Sequence, residues 1–231
     1  MKTTKKINSG IIKLTSENIS KGLVRKKIDF LLRNQKTLDD DQLISIRRKI
    51  IPDVCIGEDI FVFAYGSLLW NPTFRYVNQL PATIYGYHRS FCMKTKLGRG
   101  SAKNPGLMLA LDKGGICKGS VYKLYEKNKI KEIDLLFKRE MITGSYIPKI
   151  IKAILQTGEK VNCLAFTVDR KNENYIPNLT IEETAKYISK ARGFLGSCEE
   201  YLNFTIASLN ELKITDKKME KIFKLIKKNQ I

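Results

Sequence analysis

The sequence predicts an α+β fold: a small antiparallel or mixed β-sheet, able to close into a small barrel, flanked by helices. Three observations carry this reading. Between Phe61 and Tyr125, apolar and β-branched runs follow one another across short turns, without the strand-helix-strand rhythm of a parallel sheet. The period then becomes helical, with Ile130, Ile133, Leu136, Phe137 and Met141 on one face. Helical patterns also stand before Pro52 and after Thr180. At 231 residues, with no internal repeat and no low-complexity linker, one domain with a single core is the economical organisation.

Taken in order, residues 1 to about 16 are basic and irregular and read as a frayed start. From Ser20 to Leu32, the residues Val24, Ile28, Leu31 and Leu32 fall at helical spacing. Leu43, Ile46 and Ile50 repeat the pattern after Asp39 to Asp41, whose carboxylates favour a helix start. Residues 1–56 thus read as a helical extension packed on a core domain of residues 57–231. Phe61 to Ala64 is a continuous apolar run suited to a strand covered on both faces. Strands follow at Ala82 to Thr95, Leu107 to Leu111 and Cys117 to Tyr125, separated by the loop Lys96 to Pro105 and a turn through Asp112, Gly114 and Gly115. Gly119, inside the last of these, signals a bulge or the close approach of another backbone.

Lys127 to Met141 is the clearest core helix, with Gly144 as its C-terminal stop. Tyr146 to Leu155 and Val161 to Val168 form a hairpin across Thr157-Gly158. Thr180 and Glu183 make a capping box for a helix to about Arg192. Gly193 to Ser197 is a break, Glu199 to Leu209 a further helix, and Met219, Ile222, Phe223 and Ile226 stripe the last one.

Composition narrows the function classes. A hydrophobic content of 43% with 9% aromatics is that of an ordinary folded protein. No apolar run approaches the ~18 residues of a membrane span, and the lysine-rich start lacks signal-peptide features, so the expected location is the cytoplasm. Five cysteines without a C-x-x-C, and His88 as the sole histidine, match no zinc-site spacing and read as reduced, mostly buried thiols. His88, in a tyrosine-rich β segment, reads as structural. The net charge of +19 would suit nucleic acid, yet the lysines are spread along the whole chain without arginine-rich runs or interleaved aromatics. A solvated lysine coat is the better reading, with a basic nucleic-acid-binding module as the competing class.

Two places carry chemistry. At Tyr65-Gly66-Ser67 a glycine between hydroxyl-bearing residues breaks the strand pattern, which lets backbone amides and hydroxyls approach carboxylate or carbonyl oxygens. The other reading of this stretch is a tight turn between core strands. Glu140 lies four residues after Leu136 and three after Phe137, on or beside the buried stripe. Desolvation there raises a carboxyl's pKa towards the range useful to a general base. A salt bridge to Arg139 or a nearby lysine is the alternative.

Several separated pieces together resemble the gamma-glutamylcyclotransferases of the ChaC type. They are VFAYGSLLW at Val62 to Trp70, GYHRSF at Gly86 to Phe91, RGSAKNPGLMLAL at Arg99 to Leu111, GGICKGSVYKL at Gly114 to Leu124, REM at Arg139 to Met141 and EYL at Glu200 to Leu202. The resemblance implies a small mixed β-barrel flanked by helices. It further implies a lyase that cleaves glutathione into 5-oxoproline and cysteinylglycine without a cofactor. Glu140 resembles the family's catalytic acid/base, and Val62, Phe63, Ala64, Tyr65, Gly66, Ser67 and Leu68 resemble the part that holds the γ-glutamyl group. Arg99 and Gly100 match the family's RG loop, Arg99 as a partner for a substrate carboxylate. Tyr146 and Tyr201 match tyrosines of the family, which implies pocket lining; on their own they read as buried tyrosines with satisfied hydroxyls. Cys198 departs from the pattern, standing where such proteins often carry asparagine. Other γ-glutamyl compounds are the alternative substrates.

Overall fold

A computed structural model describes residues 11–32, 37–53 and 59–228. Residues 1–10, expected to be frayed, and Cys55 lie outside the described residues. The chain runs α1 (Ser16–Ser20), α2 (Leu23–Leu32), α3 (Asp40–Ile50), β1 (Phe61–Ala64), β2 (Tyr76–Thr95), β3 (Gly106–Leu124), α4 (Lys129–Glu140), β4 (Tyr146–Leu155), β5 (Lys160–Val168) and α5 (Ile181–Lys190). It ends with β6 (Arg192–Gly193), β7 (Gly196–Ser197), α6 (Cys198–Glu211) and α7 (Lys217–Lys228). The strands β1-β3-β2-β4-β5 close into a barrel. Among the described residues no helix is long and apolar enough to cross a membrane.

The barrel is mixed, and β1 is its key strand. Phe61 to Ala64 pair antiparallel with Lys123 to Ser120 of β3, while Phe61 and Val62 pair parallel with Cys163 and Leu164 of β5. Covered on both sides, Val62, Phe63 and Ala64 have no exposed surface, as expected for a continuous apolar run. Gly119 makes the fit possible. A Cβ there would lie 2.3 Å from the Ala64 carbonyl oxygen and 2.9 Å from the Phe63 ring, so the expected close approach of another backbone is realised by β1.

The sheet differs from the expected one in its middle. The two runs read as separate strands, Leu107 to Leu111 and Cys117 to Tyr125, belong to one 19-residue strand, β3. The glycines taken for a hairpin turn, Gly114 and Gly115, have φ of 97° and 75° and stand opposite Gly86, at φ 82°. The β2–β3 register slips between Tyr85 and Tyr87. The three glycines therefore make a bulge that bends two long strands, which is the other use of positive φ in a sheet. His88 sits there, its Nδ1 2.9 Å from the Gly114 carbonyl oxygen, in keeping with a structural role.

Helix α4 packs Ile133, Leu136 and Phe137 into the core at no more than 1% exposure, each burial worth ~1.5–3 kcal/mol. Phe137 meets Phe166 of β5 edge-on at 5.6 Å. This anchoring sets the end of α4, where Arg139 and Glu140 stand, against the barrel. Gly144 follows at φ 64°. The remaining differences are local. The segment Ser20 to Leu32 is not one helix, because Gly22 at φ 67° separates α1 from α2. The break Gly193 to Ser197 is the tight β6–β7 hairpin. Thr180 and Glu183 form the expected capping box, and Asp39 with Gln42 and Ser197 with Glu200 form two more. Cys92, Cys117, Cys163 and Cys198 are buried free thiols.

Candidate active site

The loop after β1 is where the barrel opens. Tyr65 leaves β1 with its hydroxyl donating to the Phe166 carbonyl at 2.8 Å, and its own carbonyl accepts from Arg89 Nε. Ser67 to Leu69 then form one 3₁₀ turn, closed by Leu69 N–H to the Gly66 carbonyl and Asn71 N–H to that of Ser67, both at 2.9 Å. The first amides of such a turn have no acceptor within it. Trp70 locks the far side, donating from Nε1 to Thr205 Oγ1 at 3.2 Å and lying 6.0 Å edge-on from Tyr201 of α6. Gly66 leaves little room for a side chain: a Cβ there would lie 2.9 Å from the Tyr201 hydroxyl.

Two compartments with common lining residues adjoin this loop. The inner one, about 40 Å³, is lined by Tyr65, Gly66, Ser67, Leu68 and Glu140 together with Met108, Leu109, Tyr146, Phe166 and Tyr201. The outer one, about 500 Å³, shares Ser67, Met108, Glu140 and Tyr146 with it, and its size is that of an ordinary small-molecule site. The two are parts of one cleft, with Glu140 and Ser67 at the junction.

Glu140, the last residue of α4, has a side chain only 16% exposed, and Arg139 Nε lies 2.8 Å from its Oε1. The salt bridge anticipated as an alternative to a pocket-facing carboxylate is therefore present together with it. Burial pushes the Glu140 carboxyl up from its ordinary range, and the adjoining guanidinium pulls against that. Arg139, 3% exposed, does more than pair. It donates to Ser67 Oγ at 2.9 Å, to Thr73 Oγ1 at 3.0 Å and to the Asn71 carbonyl. One buried cation thus joins the carboxylate to the YGS loop. With its oxygen occupied by Arg139, the Ser67 hydroxyl keeps its hydrogen for a ligand.

The cavity's other polar groups are phenols. Tyr146 donates to the Leu109 carbonyl at 3.1 Å, and the Tyr201 hydroxyl lies against Gly66. Burial, and to a lesser extent the nearby Glu140 charge, push Tyr65, Tyr146 and Tyr201 up. They are neutral donors at physiological pH.

Of the residues singled out in the sequence, the cleft brings together Tyr65, Gly66, Ser67, Leu68, Arg99, Glu140, Tyr146 and Tyr201. Val62, Phe63 and Ala64 lie behind it as core and line neither compartment. Arg99 lines the outer compartment, where it is bound to the Ser197 carbonyl at 3.1 Å, pairs with Glu200 at 3.5 Å and lies over the Trp70 ring at 5.6 Å. Gly100 lines neither compartment. A Cβ there would lie 2.3 Å from the Thr95 carbonyl oxygen and 2.4 Å from the Gly106 nitrogen, so the glycine serves a close backbone crossing. Cys198 donates from Sγ to the Leu107 carbonyl at 2.9 Å, away from the inner compartment. Sequence reasoning missed Met108, Leu109 and Phe166, which sit in mostly buried runs of long strands that give no local signal of a cavity. It also missed Leu14, Val24, Ile28 and Leu32, which line the outer compartment from the N-terminal helices.

Comparison with known proteins agrees with this architecture. The family model described as ChaC-like protein matches residues 60–229. An Escherichia coli glutathione-specific gamma-glutamylcyclotransferase is 37% identical over 73% of this chain and 73% of its own length. The human glutathione-specific gamma-glutamylcyclotransferase 1 is 31% identical over 62% of this chain and 66% of its own. Among solved structures, a yeast gamma-glutamyl cyclotransferase specific to glutathione superposes with a TM-score of 0.67 at 22% identity, covering 74% of this chain and 97% of that one, a likeness that speaks to the fold. With a family model matched across the barrel and the C-terminal helices, and a relative this similar, the chain belongs to the ChaC-like family.

Proposed function

We propose that this protein is a glutathione-specific gamma-glutamylcyclotransferase, a lyase that releases 5-oxoproline and cysteinylglycine. The observation that carries the reading is the convergence of a buried carboxylate, Glu140, with the Tyr65–Leu68 turn in one narrow compartment that shares Ser67, Met108, Glu140 and Tyr146 with a wider one. That shape suits a γ-glutamyl group held tightly and a leaving amine held loosely. The choice of glutathione over other γ-glutamyl compounds is supported by the names of the relatives.

The reaction follows from the geometry. Glu140 accepts a proton from the substrate α-ammonium, and the freed amine attacks the γ-carbonyl carbon of the same molecule, forming a five-membered lactam. Burial raises its pKa above that of an ordinary carboxyl, which strengthens it as a base. Folding the flexible glutamyl chain into this near-attack shape is the main task, and orientation of that kind is worth up to ~7–11 kcal/mol. The Ser67 hydroxyl and the unpaired amides at the start of the 3₁₀ turn donate to the oxygen that becomes negative in the tetrahedral intermediate. Glu140 passes protons from the α-nitrogen to the departing nitrogen as the C–N bond breaks. Two protons leave one nitrogen and two arrive on the other, so the carboxylate ends as it began and no water is consumed.

The test is product analysis of purified protein with glutathione. Equal amounts of 5-oxoproline and cysteinylglycine, with no free glutamate, are expected. Glutamate as the product would replace cyclisation by hydrolysis, and an absence of both would overturn the reading.

A further inference from the structure

The outer compartment has a wall that the family match does not cover. Leu14, Val24, Ile28 and Leu32 line it, whereas the match begins at residue 60. These residues are held in place. Ile12 N–H bonds to the Phe194 carbonyl at 2.8 Å, and Ile19, Val24 and Ile28 pack with Ile142 and Phe194 in a separate apolar cluster. The Leu14 carbonyl accepts from Asn71 Nδ2 at 2.8 Å, and the Asn71 carbonyl accepts from Arg139, the partner of Glu140. The segment is thus bonded to the same loop and cation that organise the inner compartment. Elsewhere the outer compartment is lined by Lys94, Lys96 and Arg99, the last already paired with Glu200, and by Glu140 and Glu173.

We infer that residues 11–32 belong to the substrate site: their apolar face walls the compartment that receives the leaving amine and makes the enzyme select for the size and character of that group. The inference rests on the cyclotransferase reading above. Cysteinylglycine offers a soft, weakly polar side chain to an apolar wall and a terminal carboxylate to the cationic lining. A γ-glutamyl amide of a very small uncharged amine, such as methylamine, reaches neither. The wall therefore contributes to discrimination between leaving groups and not to the cyclisation itself.

The test compares kcat/KM for glutathione and for γ-glutamyl methylamide in the full chain and in a Leu14→Ala/Leu32→Ala variant. Phe30→Ala serves as the control, because Phe30 is on α2 but 56% exposed and outside the cleft lining. Calorimetric titration of glutathione into Glu140→Gln, with and without the two leucine substitutions, reads binding without turnover. The glutathione-to-methylamide ratio should fall by ~5-fold or more in the double variant, with weaker glutathione binding and an unchanged ratio in Phe30→Ala. Equal losses for both substrates, or none, would overturn the inference and leave the segment a structural support. If glutathione binds but no 5-oxoproline forms, the proposed reaction fails, and the binding comparison alone decides for or against the wall. If it does not bind at all, both fall.

Discussion

Replacing Arg139 by methionine separates the electrostatics of the site from its shape. The guanidinium is 3% exposed and holds four partners: Glu140, Ser67, Thr73 and Asn71. Removing one member of a buried ion pair costs ~3–5 kcal/mol, which for a domain of this size corresponds to a fall in melting temperature of roughly 6–20 °C. The second effect concerns protons. Burial pushes the Glu140 carboxyl up, and among the described residues Arg139 alone pulls it back. Without Arg139 the pKa rises further, and the acid limb of the kcat/KM profile moves to higher pH.

The sign for stability follows. A carboxyl whose folded pKa exceeds its unfolded one binds protons preferentially in the folded state, so its contribution is best at low pH and is lost as pH rises from the unfolded pKa through the folded one. Arg139→Met should therefore be destabilised less near about pH 5 than near about pH 8. Denaturant melts across pH and a pH–rate profile measure both effects. An acid limb that stayed in place, or a destabilisation that shrank as pH rose, would refute the assignment of Arg139 as the group that keeps Glu140 ionisable.

Two glycine substitutions distinguish a contact in the site from a contact in the scaffold. Gly66→Ala drives a methyl group to 2.9 Å from the Tyr201 hydroxyl; the expected result is a stability loss of ~1–3 kcal/mol and a drop in turnover of ~10-fold or more, as misplaced catalytic groups give, read by melting and by initial rates. Gly100→Ala meets backbone atoms at 2.3 and 2.4 Å, so it should lose folded protein first, by at least ~1–3 kcal/mol, whatever activity survives per folded molecule. If Gly100→Ala melted like the wild type but bound glutathione more weakly, Gly100 would be a binding residue after all.

Much of this was legible in the chain because the signals were local. The apolar run Phe61 to Ala64 announced a strand covered on both faces, the stripe from Ile130 to Met141 placed Glu140 at a buried edge, and Gly119 announced either a bulge or an approaching backbone, of which the second is present. What was not legible depended on partners distant in sequence. Gly114 and Gly115 look like a hairpin turn, and only pairing with β2 turns them into a bulge within one long strand. The parallel contact of β1 with β5, which closes the barrel, has no local signature. Arg139 was visible only as an ion-pair partner; its bonds to Ser67 and Asn71 cross 72 and 68 residues of chain. Val62, Phe63 and Ala64 entered the candidate site through resemblance to the family's motif, and the burial that makes β1 a core strand keeps them out of the cleft.

The most direct measurement is the rate of 5-oxoproline formation from glutathione by the wild type and by Glu140→Gln, with folding checked by circular dichroism. The amide keeps the shape of the side chain and removes the base. Turnover in the wild type and a loss of ~100-fold or more in the variant, the size expected of general acid–base catalysis, is the predicted result. A folded Glu140→Gln variant that cyclises glutathione at a rate close to that of the wild type would contradict the account.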